Sequence, residues 1–285
     1  MRPGTWVVDE KTFLDEIISD PGDHQPRLIY ADWLEDHGDP RGEFIRLQIE
    51  RESHPHDPTR NILPGTRESM LFEANSERWV APLLKLGIER TAIGFRWGFI
   101  DAVGVSCRTA ASHIAAIRDF CPLLRRLYLH GAYDDRIDQV SGSPHLQGLI
   151  QIGIQGQLTS ENVRRFFFDT PGLETLKAID CSETNLGDAG LAELLAAPQL
   201  QRIIALDLNS VDLSWRGAGQ ILSWRLAPQL EWLNLRQNSI GDRGGKLIAR
   251  TQRLNAIKHL NLALNGFSRN VVEELRSRWG DAVVS

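Results

Sequence analysis

The feature of this sequence that most constrains its fold is an apolar phrase that recurs every 27 residues. The phrase is Leu-x-x-Leu-x-Leu, with related apolar residues allowed, and it starts four times at that interval, at Leu176, Ile203, Leu230 and Ile257. Its alternation of apolar and polar residues predicts a β-strand with one buried face. One strand cannot bury that face alone, so a continuous core forms only when several copies stack roughly 4.8 Å apart.

Each phrase continues into a turn and a short helix. The full pattern is Leu-x-x-Leu-x-Leu-x-x-Asn-x-Leu, with Asn238 and Asn265 at the asparagine position of the last two copies. The run from Gly187 to Leu195 predicts a turn and a helix with leucines on one face. This pattern is typical of a leucine-rich repeat, and repeats of this length resemble the ribonuclease-inhibitor type. The resemblance implies an α/β solenoid curved into a horseshoe, with parallel strands on the concave side and helices on the convex side.

Less regular copies of the phrase precede these four. They begin at Leu149, Leu124 and Ile100, so the sequence predicts about seven strands over residues 96–267. Residues 268–285 contain the pattern of one further helix, which we interpret as a C-terminal helical cap. We therefore expect the solenoid to be complete at this end.

Residues 1–52 are a different kind of sequence, with the signals of a small N-terminal all-α domain. Asp9 is placed to cap a first helix, a second helix starts near Pro26, and Asp39 caps a third. Residues 20–48 read DPGDHQPRLIYADWLEDHGDPRGEFIRLQ. This run resembles the bacterial repeat-companion domain, a short module that precedes leucine-rich or other repeats. The resemblance implies a bacterial protein but almost nothing about activity.

The companion segment, residues 20–48, is rich in acidic side chains. They are Asp32, Glu35, Asp36, Asp39 and Glu43. These carboxylates could form a cation site or an acid/base pair. Helix caps and ion pairs with three nearby arginines, Arg27, Arg41 and Arg46, explain the same residues, and we favour that interpretation.

Residues 53–95 are expected to form a linker and a helical N-terminal cap. Proline and polar residues between positions 51 and 66 predict a loop. The helical pattern from 67 to 86 predicts a segment that covers the open end of the stack, because the outer repeats of a solenoid need a cap.

The sequence contains no clear signal for a metal ion, a disulfide or any other cofactor. The three cysteines are far apart and odd in number, and Cys181 falls at an inward strand position. His54, His56 and Asp57 could be metal ligands, but they lie in a proline-rich stretch without a Cys or Glu partner at fixed spacing. We expect them to be solvated loop residues.

Net charge and hydropathy narrow the class of protein. The formal charge is -5 and the pI is near 5.9, which disfavours a sequence-independent nucleic-acid binder, because such proteins need a basic face. The N-terminus has no apolar run of signal-peptide length, and no later segment approaches 18 uninterrupted apolar residues. We expect a cytoplasmic monomer that binds neither nucleic acid nor membrane.

The repeat register identifies the residues expected to line the concave face. They are Tyr128, His130, Asp180, Asp207, Asn209, Trp232, Asn234, Arg236, His259 and Asn261. The set is polar, mixed in charge and uneven from end to end, which suits a protein or peptide ligand better than a repetitive polymer. Trp232 with Asn234 and Arg236 is the aromatic and arginine combination found at binding hot spots. The sequence thus predicts a protein-protein interaction module without catalytic activity.

Two alternative functions from other classes stay open. Equivalent positions on adjacent strands bring the carboxylates of Asp180 and Asp207 to roughly 5 Å, where the pKa of one can rise, so a hydrolase or a cation-dependent site has to be considered. An open concave sheet offers no deep pocket that excludes water, which argues against catalysis. The second alternative is a structural scaffold in which the repeats of several copies stack together.

Overall fold

The computed structural model describes residues 9–53, 58–133, 136–280 and 283, with residues 58–65 described by their backbone alone. The chain divides into two compact units. The N-terminal unit comprises Met1–Val103 and Ala116–Leu124, and the repeat unit comprises Gly104–Ala115 and Arg125–Ser285. The domain boundaries expected at residues 52, 95 and 267 do not coincide with this division and stay predictions.

Helices and a pair of strands make up the described part of the N-terminal unit. The helices are α1 (Glu10–Ser19), α2 (Gln25–Asp36), α3 (Arg41–Ser53) and α4 (Pro58–Lys85), and the antiparallel strands are β1 (Ile93–Arg96) and β2 (Phe99–Ser106). Asp9 Oδ1 accepts from Lys11 N at 2.8 Å and Asp39 Oδ1 accepts from Arg41 N at 2.9 Å, which confirms both predicted caps. Because strands belong to the same compact unit as these helices, a separate all-α domain over residues 1–52 stays a prediction.

The loop predicted between residues 51 and 66 is largely wrong. Helix α3 continues to Ser53 and helix α4 starts at Pro58, so helix replaces loop over most of this stretch. The N–H groups of the first helical turn have no acceptor within the helix. A proline, which has no N–H, therefore loses nothing at the first helical position and can begin a helix as well as break one. The metal-ligand candidates His54, His56 and Asp57 lie outside the described residues.

A tight turn joins β1 to β2 and packs on the companion segment. Trp97 and Gly98 have φ angles of 52° and 81°, and positive values at both positions are what a type I′ turn requires. The Gly98 N–H donates to Gln48 Oε1 at 2.7 Å, and a Cβ on Gly98 would lie 2.0 Å from Ile45 Cγ1. The Arg27 guanidinium lies 5.0 Å from the centre of the Trp97 ring. Three residues of the companion segment therefore position this turn.

In the repeat unit, strands and helices alternate around a parallel sheet. Strands β3 to β8 pair in chain order, each parallel to the next. The strands are β3 (Arg126–Ala132), β4 (Gln151–Gly156), β5 (Ala178–Asp180), β6 (Ala205–Asp207), β7 (Trp232–Asn234) and β8 (His259–Asn261). The helices are α5 (Cys107–Phe120), α6 (Ser160–Asp169), α7 (Gly187–Ala196), α8 (Trp215–Ser223), α9 (Gly241–Arg250) and α10 (Arg269–Trp279). Of α5, the part from Ala116 onwards belongs to the N-terminal unit. Together with β2, the six strands match the seven predicted phrases. The fold is α/β and leucine-rich-repeat-like, while the horseshoe curvature stays a prediction.

The repeated apolar residues form columns across the sheet. Ile179, Leu206 and Leu233 are partners in register and are at most 2% exposed. Burial of one such side chain contributes roughly 1.5–3 kcal/mol. Since each residue of the column lies beside its equivalents in the neighbouring repeats, a repeat is stabilised mainly by the repeats next to it.

Buried asparagines tie the late repeats together. The Asn238 side chain makes five hydrogen bonds, from Nδ2 to the carbonyl oxygens of Leu208, Leu235 and Arg236, and to Oδ1 from the backbone N–H groups of Val211 and Leu213. Asn265 repeats this pattern one period later, donating to three carbonyl oxygens and accepting from Ile240 N. The asparagine of the sequence pattern is therefore the residue that couples one repeat to the one before it.

The end of the sheet is partly covered by the chain itself. Leu262 N donates to Val283 O at 2.7 Å, just as Leu235 N donates to Asn261 O at 2.8 Å one repeat earlier. The Val283 carbonyl thus takes the place of a residue in a following strand. Helix α10 begins after Ser268 and ends before Gly280, as predicted for the C-terminal cap.

Candidate binding face

The strand register brings most of the predicted site residues into two columns. The first column contains Tyr128, Gly153, Asp180, Asp207, Asn234 and Asn261, which are partners in register from β3 to β8. The second column, two residues earlier on each strand, contains Arg126, Gln151, Ala178, Ala205, Trp232 and His259. Side chains two residues apart on a strand point to the same side of the sheet, so both columns lie on one surface. This surface, the strand face, is the face predicted to be concave.

The acids and amides of the first column have a structural role that the sequence reasoning missed. From β5 to β8, each accepts a hydrogen bond from the backbone N–H two residues later, at 2.9–3.1 Å. The acceptors and donors are Asp180 with Ser182, Asp207 with Asn209, Asn234 with Arg236, and Asn261 with Ala263. Such Asx turns bend the chain away from the strand. The signal was visible in the sequence, as Asp or Asn at one position of four successive repeats.

The turn that follows each of these strands contains a left-handed residue that is not glycine. Glu183, Ser210, Gln237 and Leu264 have φ angles between 57° and 58°. This conformation is unfavourable for residues with a side chain. The N–H groups of the first three donate to a carbonyl oxygen of the next repeat at 2.9–3.0 Å, which holds the turn in place.

Asp180 and Asp207 are partners in register, as the sequence predicted. Asp207 Oδ1 accepts from Asn209 N at 3.1 Å and from Asn234 Nδ2 at 3.0 Å. Burial raises the pKa of Asp207, the hydrogen bond from the Asn209 N–H opposes that rise, and the charge of Asp180 adds to it. The two hydrogen bonds give the Asp207 carboxylate a structural role that requires no catalysis or bound cation. The hydrolase and cation-site hypotheses stay predictions.

The second column offers an aromatic side chain beside small neighbours. Trp232 lies next to Ala205 in register, and Ala205 lies next to Ala178, and all three are partly exposed. On its other side Trp232 is in register with His259, which is exposed. Trp232, His259 and Asn261 also line a cavity of about 390 Å³ near the end of the sheet. This end of the strand face combines apolar area with accessible polar groups.

The opposite end of the strand face is more polar. His130 is exposed and lines a groove of about 740 Å³ together with Gln155 and Glu183. Tyr128 lies against the bare backbone of Gly153, where a Cβ would come within 2.5 Å of the Tyr128 Cδ1. Accessible side chains therefore lie at both ends of the face.

The two remaining predicted site residues follow the first column by two positions. Arg236 is exposed in the turn after β7. Asn209 is partly buried, and its Oδ1 atom is buried without a hydrogen-bond partner in the described part of the chain. All ten predicted residues thus lie on the strand face or in the turns that leave it. That these residues bind a ligand stays a prediction.

The acidic residues of the companion segment form ion pairs, as we favoured. The pairs are Arg46 with Asp32 and Glu35, Arg41 with Asp39, and Arg67 with Glu43. Arg67 lies outside the companion segment and was not anticipated. Arg27 Nη1 donates to the backbone carbonyl of Asp23 at 2.6 Å. The pairing of Asp36 stays a prediction.

The cysteines are buried. Cys107, Cys121 and Cys181 are all free thiols, and burial raises the pKa of Cys107 to about 11 and that of Cys121 to about 12. A thiol with a raised pKa is a poor nucleophile near neutral pH. Within the described ranges no three His, Cys, Asp or Glu side chains are grouped to hold a metal ion. Nor does any described helix combine the length and apolar character needed to cross a membrane.

The sequence matches no protein-family model and no curated protein. The fold is similar to a chain in the crystal structure of the Rad7 and Elc1 complex in yeast, at 13% identity and a TM-score of 0.39, over 95% of this chain and 71% of that chain. At that TM-score the similarity carries no functional argument, so the strand face has to be interpreted from its own geometry.

Proposed function

We propose that the repeat unit is a non-catalytic protein-protein interaction module whose strand face binds a protein or peptide ligand. The observation that carries the proposal is Trp232, partly exposed between Ala205 and His259 in the register of the sheet. A tryptophan beside a small residue offers a large rigid contact area that loses little conformational entropy on binding. Stacked repeats present such an anchor on an extended surface.

The exposed polar groups of the strand face support a polypeptide as the ligand. His130, Arg236 and His259 are exposed, and their side chains offer hydrogen-bond donors to backbone carbonyls or acidic side chains. An apolar anchor surrounded by a polar rim is the usual anatomy of a protein interface. A nucleic acid would need a basic surface, whereas the formal charge of this chain is -5.

We further infer that residues 20–48 form a repeat-companion domain and that the repeats are of the ribonuclease-inhibitor type. The sequence run of residues 20–48 supports the first inference. The 27-residue period and the helix in each full repeat support the second. The resemblance of residues 20–48 supports a bacterial protein. A cytoplasmic location and a monomeric state stay predictions.

The test is affinity capture from a bacterial lysate with the full chain and with Trp232→Ala/Arg236→Ala. A captured protein is identified by mass spectrometry, purified and titrated against both chains. Loss of a hot-spot residue weakens binding by about 2 kcal/mol or more, so we expect Kd to rise at least roughly 30-fold in the variant.

The matched control is Trp215→Ala/Arg216→Ala, which removes the same two residue types from helix α8. Trp215 and Arg216 already contact each other, with the guanidinium 4.8 Å from the ring centre. This variant should keep the partner and its Kd, and circular dichroism should show that both variants are folded. Equal affinity of all three chains would contradict binding at the strand face.

A second candidate is a hydrolytic or cation-dependent site at Asp180 and Asp207. The pairing of the two aspartates in register and the raised pKa of Asp207 favour it. If this candidate is right, the wild type releases heat when Ca²⁺ or Mg²⁺ is titrated into it, or hydrolyses a substrate. The variant Asp180→Asn/Asp207→Asn should then have lost both the heat of cation binding and the hydrolysis. Hydrolysis or cation binding that survives in this variant would remove the candidate.

A third candidate, a scaffold made of stacked copies, follows from the repeat architecture alone. It requires the molecular mass in solution to rise with protein concentration. Sedimentation equilibrium measures this directly, and a constant monomer mass at high concentration would remove the scaffold from consideration.

A further inference from the structure

The outer edge of β8, the last strand of the sheet, borders a cavity of about 390 Å³. The cavity is lined by Leu260 and also by its neighbours His259 and Asn261. Successive side chains of a strand point to opposite faces of the sheet. A cavity that contacts all three residues therefore lies beside the edge of β8 that β7 does not cover. This is the place where a further strand would lie.

The backbone groups at this edge continue the hydrogen-bond pattern of the repeats. Glu231 O accepts from two N–H groups of the following repeat, at 2.8 and 3.0 Å, whereas no described residue donates to its equivalent, Lys258 O. Backbone groups alternate in direction along a strand, so those of Leu260 face the same edge. The Leu262 N–H, next in this series, donates to Val283 O at 2.7 Å. The edge thus already pairs with one extended residue.

The apolar columns of the repeats are incompletely covered at this edge. Leu233 is 2% exposed, whereas Leu260, its partner in register on β8, is only partly buried. Ile257 is also only partly buried, although Leu230 at the same position of the previous repeat is fully buried. Leu260 and Ile257 both line the cavity. An aliphatic side chain placed there would cover them, as the following repeat does elsewhere.

The charge of the chain is unevenly distributed and favours an acidic ligand at this end. Residues 214–280 contain eleven Lys and Arg and four Asp and Glu, a formal charge of +7, although the whole chain carries -5. Lys258 lines the cavity, and Glu231, at 2.8 Å, compensates its charge in part. The Arg278 guanidinium lies 4.7 Å from the ring centre of Trp279, another lining residue. Because salt screens charges beyond about 8–10 Å, a short segment bound here responds to the local basic charge.

An extended polypeptide is the ligand that meets all three requirements. Its backbone offers donors and acceptors to the strand edge, and its alternating side chains place aliphatic groups on one face and acidic groups on the other. A nucleic acid would match the charge but offers neither backbone amides nor aliphatic side chains.

We propose that the protein ligand of the strand face adds an extended, acidic segment beside β8, with an aliphatic side chain in the cavity. In this mode of recognition, β-augmentation, backbone hydrogen bonds supply affinity and the side-chain pocket supplies specificity. The inference rests on the proposed function, because the segment belongs to that ligand. Trp232 and His259 line the cavity and also lie on the strand face, so the two contact areas are continuous.

The test uses labelled peptides and the full-length chain in fluorescence anisotropy titrations. The first probe is Glu-Val-Glu-Val-Glu-Val-Glu, the second replaces each Glu by Lys, and the third is the acidic probe with its central amide nitrogens methylated. The acidic probe should bind and the basic probe should not. Methylation should weaken binding at least roughly fivefold, the effect of losing two neutral hydrogen bonds. Replacing the three valines by glycine should also weaken binding, because no aliphatic side chain then enters the cavity.

Lys258→Glu should weaken binding of the acidic probe roughly threefold to tenfold, because it replaces an attraction between exposed charges by a repulsion. The matched control is Lys177→Glu, an exposed lysine at the same position three repeats earlier. Three strand spacings separate the two positions by about 14 Å, which exceeds the screening length. The control should leave binding unchanged. The Lys258 side chain is 64% exposed, and circular dichroism should show that both variants are folded.

Three results would overturn the inference. They are no binding of the acidic probe up to about 1 mM, equal binding of the acidic probe and its methylated form, and equal effects of Lys258→Glu and Lys177→Glu. The proposed function fails on a different result, namely an unchanged affinity of the captured partner for Trp232→Ala/Arg236→Ala. The failure of one can therefore be told from the failure of the other.

Discussion

The two units build their cores from different contacts. In the N-terminal unit, Phe44 is the centre of an aromatic cluster, with the ring centres of Phe72, Trp79 and Phe95 between 5.0 and 6.2 Å away. In the repeat unit, aliphatic residues such as Leu206 lie beside their equivalents in the neighbouring strands. The first core depends on contacts that occur once, and the second depends on one contact made repeatedly. A substitution should therefore affect the whole N-terminal unit but only a few repeats of the other.

The largest effect should come from Phe44→Ala, which removes the centre of the aromatic cluster. Phe44 is 1% exposed, and truncating such a ring lowers the free energy of unfolding by about 3–5 kcal/mol. Hydrogen exchange should show faster amide exchange throughout the described helices and strands of this unit, α1 to α4 with β1 and β2. Leu206→Ala, of similar cost, should speed exchange only in β5 to β7 and their helices. Equally wide effects of the two substitutions would contradict the contrast between the units.

A smaller effect should follow from Asn238→Ala, which breaks the coupling between repeats. The substitution leaves three carbonyl oxygens and two N–H groups without their side-chain partner. We expect a loss of about 2–3 kcal/mol in the free energy of unfolding, because several buried backbone groups lose a partner at once. Thr184→Ala is the control, since its side chain makes one bond, to Cys181 O at 2.7 Å, and should cost about 1 kcal/mol. Equal losses would mean that the asparagine does not couple the repeats.

The repeats could be predicted from the sequence because each one is specified by apolar residues a few positions apart, and the same spacing recurs along the chain. The 27-residue period determines both the strands and the register, so the sequence alone aligns Asp180, Asp207 and Asn234. The Asx turns were missed because an Asp or Asn in a column is equally compatible with a ligand contact. Their backbone partners, two residues later, leave no separate trace in the sequence.

The N-terminal unit could be predicted less completely because its contacts are long-range and unique. The helix caps are local and were predicted, but the bond from Gly98 N to Gln48 joins residues 50 positions apart. The same reason applies to a pocket of about 300 Å³ in this unit, whose lining, Trp79 included, comes from several separate segments. Nothing in the sequence around Trp79 indicates that its indole N–H has no hydrogen-bond partner among the described residues.

Within the repeat unit, two aspartates should respond to pH in opposite directions. Burial raises the pKa of Asp207, whereas the backbone N–H of Ser268, which donates to Asp242 Oδ1 at 2.7 Å, lowers the pKa of Asp242. The folded protein holds the proton of Asp207 more tightly than the unfolded chain does. The contribution of Asp207 to stability therefore falls as pH rises from its unfolded pKa through its folded pKa. The contribution of Asp242 is present above its unfolded pKa and is lost as pH falls through its folded pKa.

Urea unfolding of Asp207→Asn and Asp242→Asn between pH 3 and pH 8 tests this opposition. Asparagine keeps an acceptor oxygen but no charge. Relative to the wild type, Asp207→Asn should gain stability as the pH rises from 3 to 7, and Asp242→Asn should lose it over the same interval. Differences that change in the same direction for both variants would contradict the assignment of the two pKa shifts.

The smallest effect concerns two left-handed residues, one from each unit, whose surroundings differ. At Gly98, in the N-terminal unit, a Cβ would clash with Ile45, so only glycine fits. In the repeat unit Leu264 has a φ of 58° and is 62% exposed, so its side chain has room and only the backbone is strained. Glycine relieves that strain but loses more conformational entropy on folding. The relief of strain and the larger loss of entropy nearly cancel. Leu264→Gly should therefore raise the free energy of unfolding, but by less than about 1 kcal/mol.

The control for Leu264→Gly is Leu247→Gly in helix α9, where the leucine is 42% exposed. There the backbone is helical, so glycine brings no relief of strain and should lower the free energy of unfolding by about 1 kcal/mol. Chemical unfolding of both variants under the same conditions gives the difference directly. A loss at Leu264 as large as the loss at Leu247 would show that the repeat turn is not strained. The turns of the two units would then differ only in the space around the side chain, not in the conformation that they impose.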